Sequence, residues 1–476
     1  MIQLFKIGSA ERLLLLLGFL LLAHGPFLFW NDSQLVQELL RLRLGERLAD
    51  GWKLYAQASD DTGPLPAILY AILAKAGLLH FKAQRFLAAA LLWQQAIWFN
   101  QMAQRYQLVS ERNFLIAFFY LVLAHLGTDA VSLSPALISC SFLLFSLGIL
   151  FRILKDGASN DDAMWMGLWL GMATISYQPT LLFILPIYLS ALFFSGMRVN
   201  HYLMVGAAAL LPVLAIYVFF LYTGGKGDFF TCFPAPFRLQ PFVSLTSLQM
   251  LLIPASVLLL ISLAGWFYSN QNSRVNFHRL GFNVFFFSAI AGFITIFFGS
   301  IRTGEGLLLL LPQAAYFMAQ FILHSRNRLL NEGLGLGIAI LFLGGFYYTS
   351  HPSASGKNRW NGLFLQDAPK GFTANFSGKS LLLLSNDFRY YSHNPPASRF
   401  FRFYLSGIRR QDSRTYEGLM YWYLCLAENP PQLIYDPNGF IPDLALHMPE
   451  FSQCYRASFY PNLYEAIPGK SFGSGK

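Results

Sequence analysis

The chain has 476 residues; 55% are hydrophobic, 12% are charged, 47 are phenylalanine, and the mean hydropathy is +0.44. That balance excludes a water-soluble globular domain. The net charge of +10 would suit nucleic acid, but the Lys and Arg stand singly or in pairs at the ends of apolar blocks, a pattern of membrane topology and not of a nucleic-acid footprint.

Residues 1–30 place Lys6 and Arg12 ahead of an apolar run from Leu13 to Trp30. No small-residue cleavage site interrupts the run, so an uncleaved signal anchor is expected. Further apolar blocks follow at 85–104, 113–127, 133–151, 163–178, 179–196, 202–222, 248–268, 282–299, 306–324 and 333–349. With the block at 13–30 they make about eleven spans, each near the length that crosses a hydrocarbon core of about 30 Å as a helix. His24 and Pro26 inside the first helix read as packing residues, and Tyr177-Gln178-Pro179 as a turn at the outer face between two helices.

Residues 64–81 are apolar enough to span but contain Lys75 and breaks at Pro64, Pro66 and Gly77. If they do not span, the loops holding Arg105/Arg112, Arg152/Lys155, Arg198, Arg274/Arg279 and Arg326/Arg328 share the N-terminal side, which the positive-inside bias makes cytoplasmic. Residues 64–81 are therefore expected to form an interfacial or re-entrant helix, with 31–84 one large outer loop. Within it, Leu35–Leu48 interleaves apolar residues with Arg41, Arg43 and Arg47, a pattern that can lay its apolar side on headgroups.

From His351 the texture changes to charges, prolines and short alternating runs. Leu381–Leu384 reads as a buried strand, Arg414–Glu428 as a helix and Gln432–Tyr435 as a second strand. The expected architecture is an all-α polytopic membrane bundle over 1–350, followed by a small α/β domain over 351–476 on the outer side. Cys140, Cys232, Cys425 and Cys454 have neither CxxC nor zinc spacing, so no metal or other cofactor is expected; Cys425 and Cys454 could pair.

Outward charges collect in few places. Asp32 follows the first helix in Trp30-Asn31-Asp32-Ser33, and Asp60-Asp61 precedes the interfacial helix. A carboxylate there can serve as a general base toward a hydroxyl, or it can be a solvated helix end. Arg302 lies in the short outer loop Gly299-Ser300-Ile301-Arg302-Thr303-Gly304-Glu305, and Arg85 opens the second long apolar helix. A guanidinium suits a lipid phosphate, since it donates in pairs and keeps its proton; interfacial arginines also simply snorkel to headgroups. Thr223-Gly224-Gly225-Lys226-Gly227-Asp228 lacks the order of a phosphate loop and is not a nucleotide site.

In order along the chain stand Asp32 after the first helix, the D-x-x-Pro-Leu element Asp61–Leu65, Arg85, and the run from Arg302 into Leu310-Leu311-Pro312. Leu383–Asp387 and Pro430–Ile434 add to the pattern in the tail. In this layout the chain resembles the GT-C superfamily of membrane glycosyltransferases, most of all the bacterial branch near the protein O-mannosyltransferase and aminoarabinose-transferase families. It departs from them where Asp32 is flanked by Asn31 and Ser33 in place of a second acid, and where Arg302 is followed by Thr303-Gly304-Glu305 in place of an aromatic residue.

The resemblance implies transfer of a sugar from a polyprenyl-phosphate-linked donor to a lipid, glycan or protein acceptor at the periplasmic face of a bacterial inner membrane. Asp32, or failing it Asp60 or Asp61, would take the acceptor proton in an inverting transfer; Arg302 and Arg85 would stabilise the departing phosphate. A non-catalytic scaffold of the same fold is the alternative. A transporter would need ionisable groups near the bilayer midplane or matching repeat halves, and the helix interiors are almost free of charge. Convergence of Asp32, Asp60/Asp61, Arg85 and Arg302 on one outward site separates the enzyme from the scaffold.

Overall fold

The structure is a computed structural model and describes residues 11–29, 35–109, 112–125, 130–223, 226–237, 245–272, 276–298, 305–324, 368–385, 387–397 and 415–470, with the isolated positions 5, 332, 333, 337 and 340. Its helices in the first part of the chain are α1 Glu11–Phe29, α2 Val36–Ala49, α3 Pro64–Lys75, α4 Phe81–Arg105, α5 Leu115–Ala124, α6 Pro135–Asp156, α7 Asn160–Ser176, α8 Ile184–Phe194, α9 Val199–Tyr222, α10 Lys226–Cys232, α11 Leu245–Asn272, α12 Asn276–Thr295, α13 Glu305–Leu308 and α14 Leu311–His324. Ten of the eleven expected apolar blocks are thus helical; most of the last, 333–349, lies outside the described residues.

Two of the described helices, α6 and α9, are long and apolar enough by length and composition to cross a bilayer. On α9 the side chains of Leu203, Leu210, Leu211, Leu214, Val218 and Phe219 are all more than half exposed, and on α8 so are Leu185, Leu192 and Phe193. A soluble protein does not leave so large an apolar surface in water, and the bundle is a helical membrane fold. α5 lies within the span expected at 113–127. Its 10 residues, every one buried, reach about 15 Å at 1.5 Å per residue, and protein rather than lipid surrounds them.

Small residues let neighbouring helices touch. A Cβ on Gly167 would come within 2.2 Å of the Val205 carbonyl oxygen, and one on Gly171 within 2.4 Å of that of Ala209. This G-x-x-x-G pair on α7 seats the helix directly on the α9 backbone. At Tyr177-Gln178-Pro179 the expected turn appears: α7 stops at Ser176 and a 3-10 turn, Gln178–Phe183, leads into α8.

In the C-terminal part, α15 Lys370–Phe376 precedes β1 Leu381–Leu383, and α16 Tyr416–Glu428 leads to β2 Leu433–Tyr435. Then come α17 Phe440–His447, α18 Pro449–Cys454, β3 Tyr455–Ala457 and β4 Leu463–Ala466. The sheet runs β1-β2-β4-β3, with β1 and β2 parallel and the other pairs antiparallel. The strands expected at 381–384 and 432–435 and the helix expected at 414–428 are β1, β2 and α16; the C-terminal hairpin β3–β4 is additional. Cys425 and Cys454 share one apolar cluster with Trp422, Ile434 and Leu444 but form no disulfide.

The expectation for Leu35–Leu48 needs correction. α2 does not lay its apolar side on headgroups: Leu39, Leu40 and Leu44 pack into one cluster with Phe372, Leu381 and Tyr391 of the C-terminal part. Arg43 donates to the Tyr391 and Ser392 carbonyls at 2.9 Å each, and Arg47 sits over the Trp52 ring. Protein takes the place that headgroups would hold. α3, of 12 residues, is about 18 Å long, too short to span, and it exposes Ile68 and Ile72.

Candidate functional site

α2 begins with an acid in its first turn, where the helix dipole favours one. Glu38 Oε2 accepts from the Leu35 backbone N–H at 3.1 Å, and the same carboxylate faces Arg85 across two parallel bonds, Nε to Oε1 at 2.9 Å and Nη2 to Oε2 at 2.8 Å. Both side chains are buried. Arg85 Nη1 also donates to the Phe27 carbonyl at 2.7 Å. The end of α1, the start of α2 and the start of α4 therefore meet at one guanidinium.

Three residues along α2, on the same helical face, Arg41 donates from Nη2 to Glu305 Oε1 and from Nη1 to Ser132 Oγ, both at 2.6 Å. Glu305 opens α13. Glu38, Arg41, Arg85 and Glu305 balance one another in charge, as buried ions must, since an uncompensated one is strongly destabilising.

Residues 131–133 anchor three helices in succession. The Val131 carbonyl lies 3.3 Å from His24 Nε2 of α1, Ser132 Oγ accepts from Arg41 of α2, and the Leu133 carbonyl accepts from Tyr70 Oη of α3 at 2.7 Å. His24 Nδ1 is 3.0 Å from His125 Nε2, and His125 Nδ1 donates to the Leu121 carbonyl at 2.7 Å. Two neutral imidazoles carry two N–H protons for these three contacts, so the pair makes the two shorter ones. Among the described residues no group of three His, Cys, Asp or Glu could hold a metal ion.

Asp60 is buried, and its Oδ1 accepts from the Thr62 backbone N–H at 2.7 Å, an Asx-type turn. The Asp61 carbonyl accepts from Gln178 Nε2 at 3.2 Å. Gly63 closes the contact, because a Cβ there would fall within 2.3 Å of the Ile175 and Ser176 carbonyl oxygens. Tyr55 donates to the Thr62 carbonyl at 2.9 Å and packs with Phe220, Phe229 and Cys232. Burial raises the Tyr55 phenol well above its ordinary value, and Cys232, Asp60 and Asp61 add to the shift.

Of the residues singled out in the sequence, Arg85 thus joins the charge cluster under α2, and Asp60 and Asp61 sit at the junction with the α7–α8 turn. Asp32 and Arg302 lie outside the described residues. Glu38, Arg41 and Glu305 were not singled out. The signal for them was the Glu38/Arg41 spacing of three, which places both on one helix face, and the presence of an acid, Glu305, at the mouth of an apolar helix.

No protein-family model and no curated protein matches the chain. Among solved structures it is similar to the oligosaccharyltransferase of Archaeoglobus fulgidus. With the apo crystal form the TM-score is 0.49 at 12% identity, over 92% of this chain and 71% of that one. With the form tethered to an acceptor peptide containing the NVT sequon it is 0.46 at 11%, over 81% of this chain and 63% of that one, so the chain spans less than two thirds of that structure. With AglB in complex with an inhibitory peptide and a dolichol-phosphate it is 0.47 at 11%, over 96% and 74%. At these values no residue role passes from one protein to the other.

Proposed function

We propose that the chain is a membrane glycosyltransferase, moving a sugar from a polyprenyl-phosphate-linked donor to an acceptor at the periplasmic face of a bacterial inner membrane. About eleven spans from a cytoplasmic N-terminus and an outer C-terminal domain over 351–476 belong to the same reading. The observation that carries it is the meeting of two distant stretches on α2. Leu35, three residues after Asp32, is tied to Glu38, and Glu305, three residues after Arg302, is tied to Arg41. Leu35 and Glu305 are thereby both tied to side chains of α2, which supports a site near that helix.

The chemistry follows from the residue types. Asp32 takes the acceptor hydroxyl proton while that oxygen attacks the anomeric carbon; the bond from that carbon to the phosphate oxygen breaks with inversion. Arg302 stabilises the negative charge left on the lipid phosphate. Asp60 and Asp61 are the reserve bases. Arg85 reaches a phosphate only by sharing or releasing Glu38, so its contribution is secondary. That same Glu38–Arg85 pair favours the alternative, a non-catalytic scaffold, because it gives Arg85 a structural occupation. Lipid extracts of a strain lacking the protein separate the two readings: an accumulated polyprenyl-linked sugar supports the transferase, and an unchanged lipid-linked pool supports the scaffold.

A further inference from the structure

We propose that α16 carries a membrane-docking face, in which Tyr416, Met420 and Leu424 rest on the lipid surface at the Tyr222 end of α9. This goes beyond sugar transfer and holds equally for a scaffold. Between Glu417 and Glu428 of α16 the chain contains no Asp, Glu, Lys or Arg. One face of the helix is accounted for, since Trp422, Cys425 and Leu426 pack with Leu382, Ile434 and Phe440. Its other face is not: Tyr416, Met420 and Leu424 are 82%, 45% and 53% exposed. Spaced i, i+4 and i+8, they form one stripe about 12 Å long at 1.5 Å per residue. A helix on a water-facing surface turns charged residues outward, whereas the outward stripe here is apolar.

Contacts at the end of α9 say what covers that stripe. α9 is long and apolar enough to cross a bilayer; Phe219 and Tyr222 at its end are exposed, and so is Phe230 of α10. Exposed aromatic residues at the end of a span mark the boundary between lipid and water. Tyr55 stacks on Phe220 there, with ring centroids 5.1 Å apart. Its neighbour Leu54 packs both against the cluster of Phe220 and Phe229 and against that of Phe372, Leu381 and Tyr391 in the C-terminal part. Gln57 Nε2 then donates to Glu428 Oε1 at 3.0 Å, which brings the last residue of α16 to the segment that caps α9. Leu424 lies one helical turn before Glu428. The stripe thus begins beside the level where lipid gives way to water, and lipid is the occupant that continues the apolar surface of α9. Tyr416 suits that level, since its ring is apolar and its phenol wet.

The test reads the depth of the stripe and needs no turnover. The full chain is placed singly in phosphatidylcholine nanodiscs, with a fluorophore at Met420→Cys, at Leu424→Cys or, as the boundary marker, at Tyr222→Cys. The four native cysteines are buried, and the labelled parent supplies the blank. Fluorescence is read against lipid carrying a nitroxide just below the headgroup and, separately, against iodide in the water. A face resting about 5–10 Å into the headgroup region should lose fluorescence to the nitroxide lipid within about twofold of the loss at Tyr222→Cys. Tyr416→Cys gives a third position should one of these substitutions lower the folded yield. Absence of that loss at Met420→Cys and Leu424→Cys overturns the proposal, and iodide then says why. Strong iodide quenching would leave the face in water; protection from iodide would mean that protein, a partner or another part of the chain, covers it.

Discussion

Glu38 and Arg85 meet through two parallel hydrogen bonds of 2.9 and 2.8 Å, with both side chains buried where α1, α2 and α4 converge. Breaking a buried pair by removing one partner costs about 3–5 kcal/mol, more than removing both together. Glu38→Gln and Arg85→Gln should each lower the thermal midpoint of the detergent-solubilised protein markedly. The double variant should lose less than the two losses summed. Additive losses would mean that the residues act separately.

Gly167 and Gly171 predict a packing effect. Even alanine places a Cβ against backbone oxygen of α9, and overpacking of this kind costs typically about 1–3 kcal/mol. Gly167→Ala with Gly171→Ala should reduce the folded yield in membranes. Gly51→Ala is not an equivalent control, because Gly51 has positive φ; Gly18→Ala, with open space around the new Cβ, should leave the yield unchanged.

Tyr55 predicts an alkaline limit. Its phenol is held above the ordinary value of 10.0, so its contribution to stability is full below that pH. It is lost as pH rises beyond, because the unfolded chain ionises first. Stability measured from pH 9 to 11 should fall less steeply in Tyr55→Phe than in the parent, once the cost of losing the bond to the Thr62 carbonyl is subtracted at pH 9. Parallel curves would remove Tyr55 from the alkaline transition.

Topology predicts a silent reporter. With about eleven spans from a cytoplasmic N-terminus the C-terminus lies outside, so an enzyme active only in the cytoplasm, fused after Lys476, should show no activity. Strong activity would make 64–81 a true span.

The apolar blocks were legible because each reads as a helix on composition alone, and β1, α16 and β2 because apolar runs bounded by turns mark short buried elements. The fate of α2 was not legible. Its interleaved Leu and Arg suit a membrane surface as well as a protein groove, and the choice was made by Phe372, Leu381 and Tyr391, more than 300 residues away. Arg85 was visible as a lone charge opening an apolar helix, but its partner was not, since Glu38 lies 47 residues earlier.

The central claim is tested most directly by sugar transfer in membranes containing Asp32→Asn. Asn keeps the shape of Asp and cannot accept the proton, and losing a general base costs a factor of roughly a hundred to ten thousand in rate. Transfer should fall by that much with expression and folding unchanged, and Arg302→Lys should fall in parallel because it loses the bidentate fork while keeping charge. Transfer by Asp32→Asn at close to the parent rate would contradict the account.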